Sequence, residues 1–184
     1  MRRLVERFPK WVFYPLTAPP PDWATSLATT FQDHRAEIES SVRKRGTKLE
    51  SNEVLALLHD DLERKGYAVE RGKGAAERIY RPVLFGEYGL PGKTYNIDAY
   101  HPKYRVGLEI EAGRGTKGNA VYRDLVQTSL LVDVDYLALA VLTEYKWEAK
   151  GVEYSYRATK EILDAIYASE RLRFPMKGIL LIGY

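Results

Sequence analysis

The run DYLALAVLTEY at positions 135–145 restricts the fold of this chain more than any other segment. Its apolar residues follow one another without the alternation that marks a strand with one side in water. The run is also far too short to span a bilayer as a helix. It therefore predicts a central strand that is buried on both faces, in a sheet that helices cover.

The neighbouring segments supply those helices and further strands. Apolar residues at helical spacing predict four helices, over about 22–45, 51–66, 119–132 and 152–170. Strand patterns occur at 67–71, 78–85, 94–100, 105–111 and 177–184. Asp22, Ser51 and Asn119 are suitable N-cap residues, and Gly66 is a suitable helix stop. The order of elements predicts a mixed α/β fold with a central mixed β-sheet flanked by helices.

The chain of 184 residues is long enough for a full core. We divide it into an N-terminal extension and a core domain. The extension, residues 1–49, contains the proline-rich stretch APPP and one helix that packs on the core, and the core comprises residues 50–184. The aromatic residues near the start of the extension are interpreted as packing residues.

The composition limits the cellular location of the chain and the kinds of functional site that it can contain. The chain has no cysteine, which excludes disulfides and thiolate metal sites and favours a reducing, cytoplasmic location. A net charge of +3 permits nucleic-acid binding without requiring it. Basic residues are concentrated in two places, each of which a solvated surface would explain: Arg2, Arg3, Arg7 and Lys10, and then Arg43, Lys44, Arg45 and Lys48.

The stretch YNIDAYHPKYRVGLEIEAGRG at 95–115 places three carboxylates among residues that look like strands. A turn at Pro102 and Lys103 would put Asp98 opposite Gly107 and diagonal to Glu109. In that register Ile97, Ala99, Val106, Leu108 and Ile110 share an apolar face, and Asn96, Asp98, Gly107, Glu109 and Glu111 share the other. Gly107 would then leave space for the acids.

Carboxylates held this close repel one another unless a cation lies between them. Oxygen ligands alone favour a hard divalent ion, so the predicted cofactor is Mg²⁺, with Mn²⁺ as a substitute. A solvated polar strand face with incidental acids is the alternative reading of the same pattern.

These residues resemble the active-site motif of the PD-(D/E)xK nuclease superfamily, which has the restriction-endonuclease-like fold. Asp98 matches the motif Asp, Glu109 matches the following acid, and Glu111 stands where the motif usually has Lys, as in some restriction endonucleases. The resemblance covers about residues 50–145. It implies metal-dependent hydrolysis of DNA, with Asp98 and Glu109 as metal ligands and Glu111 acting on the attacking water. Glu53 fits the place of a further family acid that acts as a catalytic or metal-binding residue. A favourable charge at the helix N-terminus explains Glu53 equally well.

Four further residues are candidates for nucleic-acid binding. Arg114 and Lys117 lie in the glycine-rich loop GRGTKG, where they would contact phosphates or remain solvated. Arg123 and Gln127 lie four residues apart on the following helix, facing either the site or the solvent.

The predicted function is that of a Mg²⁺-dependent DNA endonuclease, with a type II restriction endonuclease as one form and a homodimer as the expected assembly. Three alternatives stay open. The first is a non-catalytic nucleic-acid-binding protein on the same fold, and the second is a repair, phage or mobile-element nuclease. The third is an unrelated metal-dependent hydrolase, or a protein that uses the acids structurally, without affinity for DNA.

Overall fold

The computed structural model of this chain describes residues 7–113, 119–147 and 151–184. The helices are α1 (Asp22–Asp33), α2 (Arg35–Ile38), α3 (Ser51–Arg64), α4 (Ala120–Ser129) and α5 (Ser155–Ser169). The strands are β1 (Lys10–Tyr14), β2 (Ala68–Val69), β3 (Ile79–Phe85), β4 (Pro91–Ile97), β5 (Ala99–His101), β6 (Val106–Glu111), β7 (Tyr136–Val141), β8 (Tyr145–Lys146), β9 (Val152–Glu153) and β10 (Gly178–Gly183). Within these ranges no helix is both long and apolar enough to cross a membrane.

Six strands form the central sheet in the order β1-β10-β7-β6-β5-β2. The strands β6, β7 and β10 run parallel, and the other three are antiparallel to their neighbours. Strand β7 lies in the middle, and its residues Leu137–Val141 are completely buried. The prediction of a buried central strand is confirmed.

Helices cover both faces of this sheet, which confirms the mixed α/β class. On one face α1 and α3 pack against the sheet through a core that includes Leu27, Phe31, Leu58, Leu62 and Leu108. On the other face α4 and α5 pack through Val121, Leu125, Leu163, Leu139 and Leu181. The described residues of the N-terminal part belong to the same body, because β1 pairs with β10 and α1 packs on α3.

The structure corrects two helix predictions. The helix predicted over 22–45 is interrupted at His34 and ends at Ile38, where Glu39 leaves the helical conformation with φ of −57° and ψ of 111°. The His34 ring is held in place by Asp61 at 2.7 Å and Glu37 at 2.9 Å. The second helix does begin at Ser51, but the residue in the N-cap position is Glu50.

A strand predicted as continuous over 94–100 is divided at Asp98. Strand β4, before the bend, leaves the central sheet and pairs with β3 as a separate two-stranded ribbon. Strand β5, after the bend, stays in the central sheet beside β6. Asp98 therefore lies at the point where the ribbon joins the sheet.

The predicted hairpin register was wrong by two residues. Ala99 pairs with Leu108 and Tyr100 pairs with Gly107, because the connection runs from Pro102 to Arg105 instead of through a two-residue turn. Arg105 adopts a left-handed backbone with φ of 55°, which closes this longer connection. A shift of two residues keeps each side chain on its own face of the strand, so the acids remain together.

Ile97 does not join the apolar face on which the sequence placed it. The bend at Asp98 turns Ile97 into a separate small cluster with Tyr100, Leu131 and Val134. A Cβ atom on Gly107 would lie 2.2 Å from the Cδ1 atom of Ile97. The missing side chain of Gly107 thus accommodates Ile97 rather than the carboxylates.

Candidate active site

A polar cleft of about 340 Å³ lies between the start of α3, the bend at Asp98, strand β6 and helix α4. Its lining residues are Ser51, Asn96, Asp98, Glu109, Ile110, Glu111, Arg123, Asp124 and Gln127. The parallel strands place this cleft toward the carboxyl end of β6, where open α/β sheets usually bind their ligands.

Asp98 is a partly buried acid that the backbone of the neighbouring strand holds in place. The Ile110 N–H donates a hydrogen bond of 2.7 Å to Oδ2 of Asp98. Burial nevertheless raises the pKa of Asp98 to about 7, and the negative charges of Glu70, Asp124 and Glu111 add to the increase. The hydrogen bond opposes this shift without cancelling it.

Glu109 lies beside Asp98. Ala99 pairs with Leu108 in the β5–β6 register, and extending this register by one residue places Asp98 opposite Glu109. Burial raises the pKa of Glu109 well above its usual range, and the carboxylates of Asp98 and Asp124 raise it further. Arg123 acts in the opposite direction. Two neighbouring acids that are both hard to ionise form a site that favours the binding of a cation.

Glu111 is held by the protein on both of its oxygens. Oε1 accepts a hydrogen bond of 2.9 Å from the Gly113 N–H, and Oε2 lies 3.6 Å from a guanidinium nitrogen of Arg123. The side chain is 16% exposed, so it can still reach a molecule in the cleft.

Arg123 provides a positive charge at the rim of the cleft. Its guanidinium binds Asp124 through Nε and Nη2, both at 3.0 Å from Oδ1, while 58% of the side chain stays exposed. Gln127, one helical turn further along α4, is half-buried and also lines the cleft. The structure thus brings together Asp98, Glu109, Glu111, Arg123 and Gln127.

Two acids near the cleft were missed by sequence reasoning. Asp124 is 3% exposed, and burial raises its pKa to about 6 against the opposing effect of Arg123. The sequence did mark Asp124 as unusual. It lies in the helical stripe of Val121, Leu125 and Thr128, where an apolar residue is expected. Glu70 follows the short strand β2, and its backbone N–H donates to the Asp98 carbonyl at 2.8 Å. No pattern in the sequence pointed to Glu70.

Glu53 is not among the residues that line this cleft. It is exposed in the first turn of α3, where its Oε2 accepts a hydrogen bond of 2.7 Å from the Glu50 N–H as part of a capping box. At this end of α3 it is Ser51 that reaches the cleft, with its Oγ accepting a bond of 3.0 Å from the Ala112 N–H. Asn119 occupies the N-cap position of α4. Arg114 and Lys117 fall outside the described residues.

Among the described residues, no group of three or more histidine or acidic side chains is placed so that it could hold a metal ion. Magnesium needs fewer protein ligands, because it keeps several waters and commonly binds one or two carboxylates together with substrate phosphate oxygens. Asp98 and Glu109 supply this smaller set, as two adjacent hard oxygen donors whose ionisation a cation would favour. The residues present therefore fit a magnesium ion at this pair.

Comparison with known proteins identifies the fold and nothing finer. No family model matches the chain, and no curated protein sequence matches it. Among solved structures, the chain is similar to the restriction endonuclease BglII in its complex with a DNA 16-mer, with a TM-score of 0.53 and 12% identity. The match covers 96% of this chain and 76% of the BglII chain. The chain therefore has a restriction-endonuclease-like fold.

Proposed function

We propose that this protein is a metal-dependent DNA endonuclease that hydrolyses phosphodiester bonds, of the type II restriction kind. The observation that carries the proposal is the adjacent pair Asp98 and Glu109, whose pKa values are both raised in a polar cleft. The proposal is further supported by the fold, which is similar to that of a restriction endonuclease in complex with DNA.

Asp98 and Glu109 would hold Mg²⁺, with Mn²⁺ as a substitute, and Glu53 has no part in this set. When bound, the metal ion supplies Lewis-acid polarisation of the phosphoryl oxygen and stabilises the leaving 3′ oxygen. The Ile110 N–H fixes the Asp98 carboxylate through Oδ2, so that the pair is held in position before substrate arrives.

Glu111 and Arg123 would act on the other components of the reaction. Glu111, fixed by Gly113 and Arg123, would orient the attacking water and accept its proton on a carboxylate oxygen. Arg123, fixed in turn by Asp124, would donate to a non-bridging phosphate oxygen through its exposed guanidinium. Lysine usually occupies the position of Glu111 in the motif and brings a positive charge. Here Arg123 would supply that positive charge at the cleft instead.

Purified full-length protein should be incubated with plasmid DNA in Mg²⁺, in Mn²⁺ and in EDTA. Cutting in the two metal ions, with none in EDTA, is expected. Asp98→Asn and Glu109→Gln should abolish it, because each removes a negative oxygen ligand at nearly constant shape. Asp60→Asn is a matched control, since Asp60 is an exposed acid on α3. Metal-independent cutting, or full activity of Asp98→Asn, would overturn the proposal.

The products distinguish the finer possibilities. Discrete fragments from a long DNA of known sequence indicate a site-specific enzyme, and a smear indicates a nonspecific nuclease of another kind. A homodimer would present two clefts to the two strands, and sedimentation of the protein with DNA tests that assembly. Binding without cutting in any metal ion would identify a non-catalytic nucleic-acid-binding protein.

A further inference from the structure

The loop between α2 and α3 carries a concentration of positive charge. Residues 42–49 contain four basic side chains and no acidic one, and we call residues 43–48 the basic loop. From the sequence alone this cluster looked like ordinary solvated surface. The structure gives it a defined position relative to the cleft.

Backbone carbonyl groups, which are neutral, hold the two arginine side chains of the basic loop in place. Arg43 donates to the Glu37 carbonyl, and Arg45 donates through Nη1 to the carbonyls of Gly151 at 2.7 Å and Trp147 at 3.2 Å. Across the described ranges, no carboxylate forms an ion pair with Arg43, Lys44 or Arg45. Only Lys48 has an acidic partner, the exposed Glu50 at 3.0 Å. The loop therefore keeps most of its positive charge.

The basic loop is attached to the chain that leaves the carboxyl end of β7. The Lys146 ammonium group donates to the Ser41 carbonyl at 2.5 Å, and the Gly46 N–H reaches the Lys146 carbonyl at 3.5 Å. Strands β6 and β7 are parallel neighbours, with Glu111 paired to Val141 at their ends. The loop and the acidic cleft consequently lie at the same edge of the sheet.

Tyr184 connects the two regions. Its hydroxyl donates to the Glu111 carbonyl at 3.4 Å, and its own carbonyl accepts from Ser40, just before the basic loop. Burial raises the pKa of Tyr184 well above its usual range; Glu111 and Asp98 raise it further, and Arg43 lowers it. One buried residue thus contacts Glu111 of the cleft through its hydroxyl and Ser40, just before the basic loop, through its carbonyl.

We propose that the basic loop binds the phosphate backbone of the nucleic acid whose scissile phosphate enters the cleft. This inference rests on the proposed endonuclease function. A cleft rich in carboxylates repels a polyanion, so cations at its rim are needed to draw the substrate in. Phosphate groups are the ligands that match several cations spaced along an extended loop, and each contact releases counterions.

The test compares two charge-matched variants in DNA-binding titrations. The first is Lys44→Gln with Lys48→Gln, which leaves the structural hydrogen bonds of Arg43 and Arg45 intact. The control is Arg171→Gln with Arg173→Gln, two exposed residues before the amino end of β10 and hence toward the opposite edge of the sheet. Both are made in the Asp98→Asn background, in which cutting is expected to be abolished, and fluorescence anisotropy with a duplex is recorded in EDTA at several salt concentrations.

The loop variant should reduce the slope of log K against log salt by about 2, since each lost phosphate contact removes about 1. The control variant should leave the slope unchanged. Equal slopes for the loop variant and its parent would overturn the inference, even if the native protein cuts plasmid. A parent that binds no DNA at all, together with a native protein that cuts none, would instead overturn the proposed function.

Discussion

The backbone N–H of Ile110 donates a 2.7 Å hydrogen bond to the carboxylate of Asp98, across the bend where the β3–β4 ribbon meets the central sheet. This bond holds an acid of raised pKa directly beside Glu109. In the metal-free protein the carboxylates of Asp98 and Glu109 therefore repel each other when both are ionised. Protonation or a bound cation relieves this repulsion.

The stability of the metal-free protein should fall as the pH rises from about 4 to about 7. The pKa of Asp98 is raised from 3.8 to about 7 in the folded protein. Over this window the unfolded chain has released the proton and the folded chain still holds it, so each pH unit costs about 1.4 kcal/mol of unfolding free energy. Asp98→Asn removes the cost, and it should be more stable than the native protein at pH 8 in EDTA.

Denaturant titrations of both proteins at pH 5 and pH 8 measure this effect. The asparagine side chain introduced by Asp98→Asn keeps an oxygen that accepts the Ile110 bond, so lost packing does not obscure the result. A native protein whose unfolding free energy rises between pH 5 and pH 8, relative to the variant, would contradict the raised pKa.

Magnesium affinity should depend on pH, because ligand carboxylates must lose their protons before they bind the ion. Burial raises the pKa of Asp98 to about 7, so the apparent affinity should fall by up to about tenfold per pH unit below that value for each proton displaced. The shift in unfolding midpoint that Mg²⁺ produces at pH 6, 7 and 8 reports this affinity. An affinity that is the same at pH 6 and pH 8 would exclude the pair as the metal ligands.

Replacing Arg123 by glutamine should move the acid limb of the pH–activity profile to higher pH. Arg123 lowers the pKa of Glu109 and of Asp124, so its removal makes both acids harder to ionise. Arg123→Lys retains the charge and should restore the position of the limb, although it loses the two-nitrogen contact with Asp124. A uniform loss of kcat/KM at every pH would mean that Arg123 acts only on substrate.

Much of the fold was accessible from the sequence because its signals were strong and local. The run at 136–141 is apolar on both faces, and only a central strand satisfies it. The hairpin register was missed because no sequence pattern shows that Arg105 adopts a left-handed conformation, which lengthens the connection. Because the error was two residues, the alternation of side chains still placed Glu109 and Glu111 on the face of Asp98.

The N-terminal strand and the acid Asp124 were harder to recognise from the sequence. Residues 10–14 become a strand only by pairing with β10, at the far end of the sequence, so no local pattern predicts it. Asp124 lies in an apolar helical stripe, and its meaning depends on the acids that the sheet brings opposite it. Long-range contacts determine both features.

Gly107→Ala should destabilise the protein by about 1–3 kcal/mol, the usual cost of overpacking a core. The new methyl group would lie 2.2 Å from Cδ1 of Ile97 and 3.4 Å from Cγ1 of Val134. Ile97→Val removes the clashing Cδ1 atom, so the double variant should lose less stability than the sum of the two single changes. Denaturant unfolding of the four proteins completes the cycle. Additive losses would show that Gly107 is not required for the placement of Ile97.

Glu53 acts either in the cap of α3 or in catalysis, and its contacts favour the cap. Its carboxylate accepts the Glu50 N–H at 2.7 Å and does not line the cleft. Glu53→Ala should therefore cost about 0.5–1.5 kcal/mol of stability, the usual contribution of one hydrogen bond, while plasmid cutting persists. Glu53→Gln keeps a capping-box acceptor and should restore most of the stability. If Glu53 were instead a metal ligand, Glu53→Gln would fold normally and cut poorly. Unfolding curves and cutting rates of the two variants, measured at one Mg²⁺ concentration, therefore decide whether this acid acts in the helix cap or in catalysis.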